Sequence, residues 1–152
     1  MAYWLMKSEP SEVSIDTLAG RPGQTIDWFG VRNYLARNFL RQMKVGDQAF
    51  FYHSSCPEPG IAGIVQVVKE SYPDPTQFDS SDPHFDPKSS KDAPRWSTVD
   101  VRLVKKTTLL PLAQLRNTPE LEDLRLLQKG NRLSVMPIES HHWDKVLSLL
   151  LS

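Results

Sequence analysis

The chain has 152 residues and a formal net charge of zero, with 39% hydrophobic and 24% charged residues; this fits one folded domain and excludes a disordered chain. Balanced charge excludes a uniformly basic surface, so any anion site must come from local clustering. The single cysteine, Cys56, excludes an intrachain disulfide and points to a reducing compartment, the cytoplasm or, for a eukaryotic source, the nucleus.

The opening "MAYWLMKSEP" has no long apolar core, so no secretory signal is expected, and the longest apolar run, "VLSLLL", is too short to span a bilayer. "YWLMK" reads as a strand. Ser14 is placed to cap a short helix through Leu18 that Gly20 ends, and "RPGQT" is turn-rich. A longer helix is expected from about Val31. At 100° per residue, Val31, Leu35, Ala36, Phe39 and Met43 share one side, and Asn33, Arg37, Arg41 and Lys44 the other. Arg32 falls at the azimuth of Phe39 and Met43, so it either precedes the regular helix or points inward. "QAFFYHS" and the β-branched "IAGIVQVVKE", joined by the tight turn "CPEPG", read as a hairpin.

Residues 71–95 hold five prolines and five aspartates with little periodicity, which predicts a long surface loop, either functional or mobile. "WSTVDVRLVKK" restores alternation, with Val99, Val101 and Leu103 facing one way. "LLPLAQLRN" and "TPELEDLRLLQKG" read as short helices, the second capped by Thr118 and stopped by Gly130. "RLSVMPI" is expected to be the last strand, and "SHHWDKVLSLLL" a final helix capped by Ser140. Strands outnumber long helices and no regular strand–helix alternation appears. The fold class is therefore α+β, a mixed sheet or small barrel forming a single domain over residues 1–152.

Catalytic motifs are missing: there is no Gly-x-Ser-x-Gly elbow and no phosphate-binding glycine loop. One cysteine cannot complete a zinc deaminase site. His53 and Cys56 leave a cysteine–histidine enzyme as an alternative resting on a weak local pattern. The adjacent His141 and His142 are expected on different helix faces, and "DSSDPHFD" lacks the glycine and glutamate of an EF-hand loop, so no metal is expected. The binding chemistry is richer. Trp4 and Trp143 fit a core. Trp28, before Gly30, and Trp96, at the end of the loop, fit either a core edge or a base-stacking platform. Arg37, Arg41 and Lys44 suit phosphates, with a solvated face as the ordinary alternative. Arg32 and Asn33 carry the donors and acceptors that a base edge needs.

Taken together, "YWLMKSEP", "WFGVRNYLARNFLRQMKVGD", "FFYHSS", "GIAGIVQV", "YPDPTQFD" and "NRLSVMPI" resemble the EVE domain family from Tyr3 to the final helix. The resemblance implies a PUA-like fold: a small mixed β-barrel surrounded by helices, related to the PUA and YTH modules, which bind nucleic acid and often enclose one modified base. It implies a non-catalytic reader of 5-methyl- or 5-hydroxymethylcytosine in DNA, with a YTH-like RNA reader as the alternative. No cofactor, metal or membrane partner is implied, and a monomer is expected. Carried over by position, the base pocket would draw on Lys7, Ser8, Glu9, Trp28, Gly30, Val31, Arg32, Asn33, Tyr52, His53, Ser54, Asp74, Arg132, Leu133 and Ser134. In this picture Trp28 stacks on the flipped base, Glu9 accepts from the exocyclic amine, and Asn33 or Ser8 bonds its other polar edge. The 5-substituent fills a recess near Val31 or Leu133.

Overall fold

The computed structural model describes residues 1–151. Six strands form one mixed sheet: β1 (Tyr3–Ser8), β2 (Thr25–Asp27), β3 (Gln48–His53), β4 (Gly60–Pro73), β5 (Ser97–Pro111) and β6 (Val135–Ile138), in the order β2-β5-β4-β3-β1-β6. Only β1 and β3 run parallel; the other pairings are antiparallel. Four helices cover the sheet: α1 (Ile15–Ala19), α2 (Tyr34–Gln42), α3 (Leu112–Arg116) and α4 (Ser140–Leu150).

The central strands read as continuous apolar runs because both of their faces are buried. Successive side chains point to opposite faces. In β1, Trp4 and Met6 enter one core with Ala36, Leu40 and Met43, which come from α2 and its C-terminal end, while Leu5 enters the other with Leu115, Trp143 and Val146. β3 divides in the same way, Ala49 and Phe51 to the first core, Phe50 and Tyr52 to the second. Trp143 is sandwiched between Tyr3 and Phe50, with ring centroids 4.4 and 3.9 Å away. The Trp4 indole donates to the buried carboxylate of Asp47 at 3.0 Å, which also takes the Lys44 amide and so fixes the turn from α2 into β3.

The expected α+β class holds, but the sheet is not closed. Among the described residues the outer strands β2 and β6 do not pair, so the barrel expected from the resemblance is not formed. The edges are short, three and four residues. Repeated register shifts between β4 and β5 bend and coil the long central hairpin. The open seam this leaves is where the cavity described below is found.

Several element ends differ from expectation. α2 starts at Tyr34, not Val31, because Asn33 is its N-cap and accepts from the Ala36 amide. Arg32 thus precedes the regular helix. "TPELEDLRLLQKG" forms two 3-10 turns, Pro119–Leu121 and Arg125–Leu127, and the Thr118 hydroxyl donates back to the Gln114 carbonyl instead of capping. Position 139, not Ser140, is the N-cap of α4, without a side-chain bond. The Ser14 cap and the stop at Gly20 form as expected, and Thr17 completes a capping box that was not anticipated.

Gly60 marks a close approach of two strand backbones: a Cβ built there would collide with the Leu110 carbonyl oxygen. Gly60→Ala should therefore lower stability by about 1–3 kcal/mol in urea unfolding; an unchanged midpoint would show that the β4–β5 ladder gives way easily.

Candidate functional site

A cavity of about 420 Å³ opens at the C-terminal ends of the parallel pair β1 and β3, within the size range of ligand sites. Lys7 and Ser8 end β1, and Glu9, Glu12 and Val13 follow in the connector to α1. Ile26 and Asp27 come from β2, and Trp28 through Arg32 from the connector to α2. Ser54 and Ser55 follow β3, Arg132 and Ser134 precede β6, and His84 reaches in from the long loop.

Of the pocket residues expected from the sequence, Lys7, Ser8, Glu9, Trp28, Gly30, Val31, Arg32, Ser54, Arg132 and Ser134 line this one cavity. Asn33, Tyr52, His53, Asp74 and Leu133 do not. Asn33 faces solvent and uses its side-chain oxygen as the α2 cap, so one of the two lone pairs of that acceptor is engaged by the helix. Tyr52 is buried in the second core. The His53 Nε2 accepts from the Ile15 amide at 3.1 Å, which occupies it with α1 and not with Cys56. Leu133 packs against both cores.

Asp74 lies behind the wall, fully buried. Its carboxylate accepts from the Gly30 amide at 2.7 Å, from Arg32 Nη1 at 3.2 Å, and from the amide and hydroxyl of Thr76 at 2.8 and 2.6 Å. Arg32 directs its other N–H groups to the Val31 carbonyl, the Thr76 hydroxyl and, twice, the His84 carbonyl. All five guanidinium donors are thus engaged within the protein, and Arg32 shapes the cavity wall instead of offering it free donors. Gly30 has φ +83°, and a Cβ there would lie 2.8 Å from the His84 ring, so the close approach requires glycine. The His84 ring in turn meets Phe29 edge-on and holds Glu12 through a 2.6 Å contact.

Trp28 closes the floor of the cavity. It is 6% exposed and packs edge-on against Phe51, with centroids 5.3 Å apart. It belongs to both the core and the cavity lining, so the two alternatives posed by the sequence meet in one residue. Burial lowers the Lys7 ammonium pKa. Burial, with Asp74 and Asp100 nearby, raises that of Asp27.

Glu12, Val13, Ile26, Asp27, Phe29, Ser55 and His84 complete the lining and were not anticipated. Ile26, Asp27 and Phe29 adjoin Trp28 in sequence and were within reach of the same argument. His84 was hidden in a loop without periodicity, and only tertiary structure brings it to Gly30.

The arginines of α2 turn toward the end of the same loop. Arg37 donates to the Arg95 carbonyl at 2.9 Å and to Asn38, and Arg41 donates to the Ser97 hydroxyl at 2.9 Å. Lys44 remains exposed, 4.0 Å from Glu70. Gln77, fully buried, bonds the Asp74 and Trp96 carbonyls, the Trp96 amide and Ser89. The loop that read as structureless is tied down at both ends. His141 and His142 also depart from expectation. Their ring centroids lie 4.0 Å apart, and with Asp123 they offer ligand atoms within 4.8 Å of one another. Residue spacing alone therefore does not exclude a shared ion, and the observed 2.7 Å His142–Asp123 contact joins α4 to the turns before it.

A family model, the EVE domain, matches residues 2–149. The chain belongs to the EVE domain family. Thymocyte nuclear protein 1 of Homo sapiens is 47% identical over 97% of this chain and 73% of its own length. The structure of human THYN1 protein in complex with 5-methylcytosine-containing DNA is 46% identical, with a TM-score of 0.93 over 100% of this chain and 99% of that one. A Pseudomonas putida protein structure is 52% identical, with a TM-score of 0.93 over 97% of this chain and 99% of that one. This EVE domain therefore shares its architecture with these relatives along essentially the whole chain.

The His53 contact gives a pH prediction. Burial lowers the His53 pKa below its ordinary 6.5, and Nε2 accepts a hydrogen bond only when unprotonated. Between the folded and unfolded pKa values the unfolded chain binds more protons, so stability rises with pH across that interval. The contribution is present above about pH 6.5 and is lost on acidification. Thermal melts from pH 7.5 to 5 should show a smaller acid-induced decrease in His53→Gln than in wild type; parallel curves would contradict this.

Proposed function

We propose that this EVE domain is a non-catalytic DNA-binding module that takes a modified cytosine, 5-methyl- or 5-hydroxymethylcytosine, flipped out of its strand into the cavity. One observation carries the reading: a cavity that joins an indole floor to amine, hydroxyl and carboxylate groups in a chain so close to the human protein held with 5-methylcytosine DNA. Unstacking the nucleotide costs a few kcal/mol, which contacts inside the cavity must offset. Trp28 supplies an aromatic surface. Glu9 or Glu12 accepts from the exocyclic amine of cytosine, and Lys7 or Ser54 donates to the acceptors of the base, since the Ser8 hydroxyl already donates to the Val13 carbonyl at 2.6 Å. The 5-substituent lies against Val31 or Val13. The sequence assigned the polar edge to Asn33 or Ser8 and the recess to Val31 or Leu133; Asn33 and Leu133 lie outside the cavity lining and the Ser8 hydroxyl proton is engaged by Val13, which leaves the polar edge to Lys7 or Ser54 and the recess to Val31 with Val13 beside it.

Phosphates flanking the flipped nucleotide are assigned to Arg37, Arg41 and Lys44, with Arg132 nearer the mouth. Arg37 and Arg41 already hold the loop, so they meet a phosphate as pre-positioned cations with few N–H groups left unbonded, and Lys44 as a mobile one. The binding role needs no cofactor, and one copy of the chain suffices for it.

A fluorescence titration with oligonucleotides carrying 5-methylcytosine, 5-hydroxymethylcytosine or cytosine tests the reading. Fitting one small substituent yields about 1–3 kcal/mol, so modified sites should bind roughly ten- to a hundredfold tighter. Lys7→Met and Glu9→Gln should weaken that binding without unfolding the protein. Trp28 is a poor probe because its truncation also opens the core. Equal affinity for all three oligonucleotides, or none, would refute the assignment.

A further inference from the structure

A stack of two rings between two cations leads away from the cavity. The Arg32 guanidinium, part of the cavity wall, lies 5.5 Å from the Trp96 ring centroid. The Trp96 and Tyr34 rings stack with centroids 4.8 Å apart and planes at 23°. The Arg37 guanidinium lies 4.7 Å from the Tyr34 ring centroid. Three of the four layers are fixed by hydrogen bonds, Arg32 as described above. The Trp96 indole donates to Asp86 at 2.7 Å, and Arg37 is held by Asn38 and the Arg95 carbonyl. The fold buries Trp96, at 6% exposure, but leaves Tyr34 52% exposed. Core packing therefore accounts for the inner half of the stack and not for the outer half.

We propose that the outer face of the Arg37 guanidinium, backed by the Tyr34 ring, forms a platform for the nucleotide next to the one in the cavity, so that the protein holds two successive residues of one strand. The inference rests on the cavity reading and extends it. Its occupant is chosen by chemistry. Rings and guanidinium planes accept any base face, which gives sequence-tolerant affinity. Arg37, Arg41 and Lys44 follow one another along α2 and its end at spacings of four and three residues, and so supply a line of positive charge for a backbone. The nearby carboxylate of Asp86 is engaged by the Trp96 indole. The platform also joins the cavity through a shared residue, since Arg32 both lines the cavity and begins the stack.

Isothermal titration with three ligands separates the two sites: 5-methyl-2′-deoxycytidine alone, a DNA trinucleotide with 5-methylcytosine at its centre, and the same trinucleotide with cytosine. Tyr34→Ala should leave the nucleoside affinity unchanged. It should weaken both trinucleotides roughly tenfold and so preserve the ratio between them. Tyr34→Phe, which keeps the ring, should retain wild-type affinity. If wild type binds the trinucleotides and Tyr34→Ala changes nothing, or if it weakens the nucleoside equally, the platform is wrong while the cavity reading survives. If wild type binds none of the three ligands, both fall.

Discussion

A carboxylate sealed from water must be fully partnered, and Asp74 is partnered by the two segments that have to meet for the cavity to exist. Its oxygens take the Gly30 amide and Arg32 from one segment and the Thr76 amide and hydroxyl from the other. Leaving such a charge unpaired is far more costly than the net gain from the pair itself. The pairing therefore acts mainly as a specification: with Asp74 buried, only arrangements that bring the β2–α2 connector onto the loop avoid an orphaned charge.

The rest of the wall follows. Arg32, held by Asp74, bonds the His84 carbonyl twice. That places the His84 ring over the α-carbon of Gly30, where no side chain would fit. His84 then meets Glu12, 72 residues away in sequence. The chain of contacts runs from one buried carboxylate, through a planar five-donor fork, to the surface that bounds the cavity. A lysine offers no such fork. The same logic explains the basic face of α2: its arginines largely serve the loop, and their charge becomes available to a ligand only in the geometry the loop imposes.

Much of this was legible in the sequence. Apolar runs identified five of the six strands, all but the three-residue β2, the Ser14 cap and Gly20 bounded α1, and the blocks of the resemblance supplied ten residues that line one cavity. Local signals misled where a side chain had two uses. Asn33 is as good a helix cap as a base reader, and azimuth alone could not tell that Arg32 lies just outside the helix. Loop residues such as Gln77 and His84 carry no periodic signal, because their partners are backbone groups distant in sequence. Closure of the sheet was beyond reach as well. It depends on the length of β2 and β6 and on register shifts in β4 and β5, which apolar patterning does not encode.

Hydrogen–deuterium exchange of the unliganded protein with Arg32 replaced by lysine tests the central claim most directly. The substitution keeps the charge beside Asp74 and removes the fork. Exchange should accelerate at the Gly30 amide and across residues 76–86, while β1, β3 and β4 keep their protection. Identical protection of that loop in both proteins would mean that the Arg32 fork does not hold the cavity wall in place.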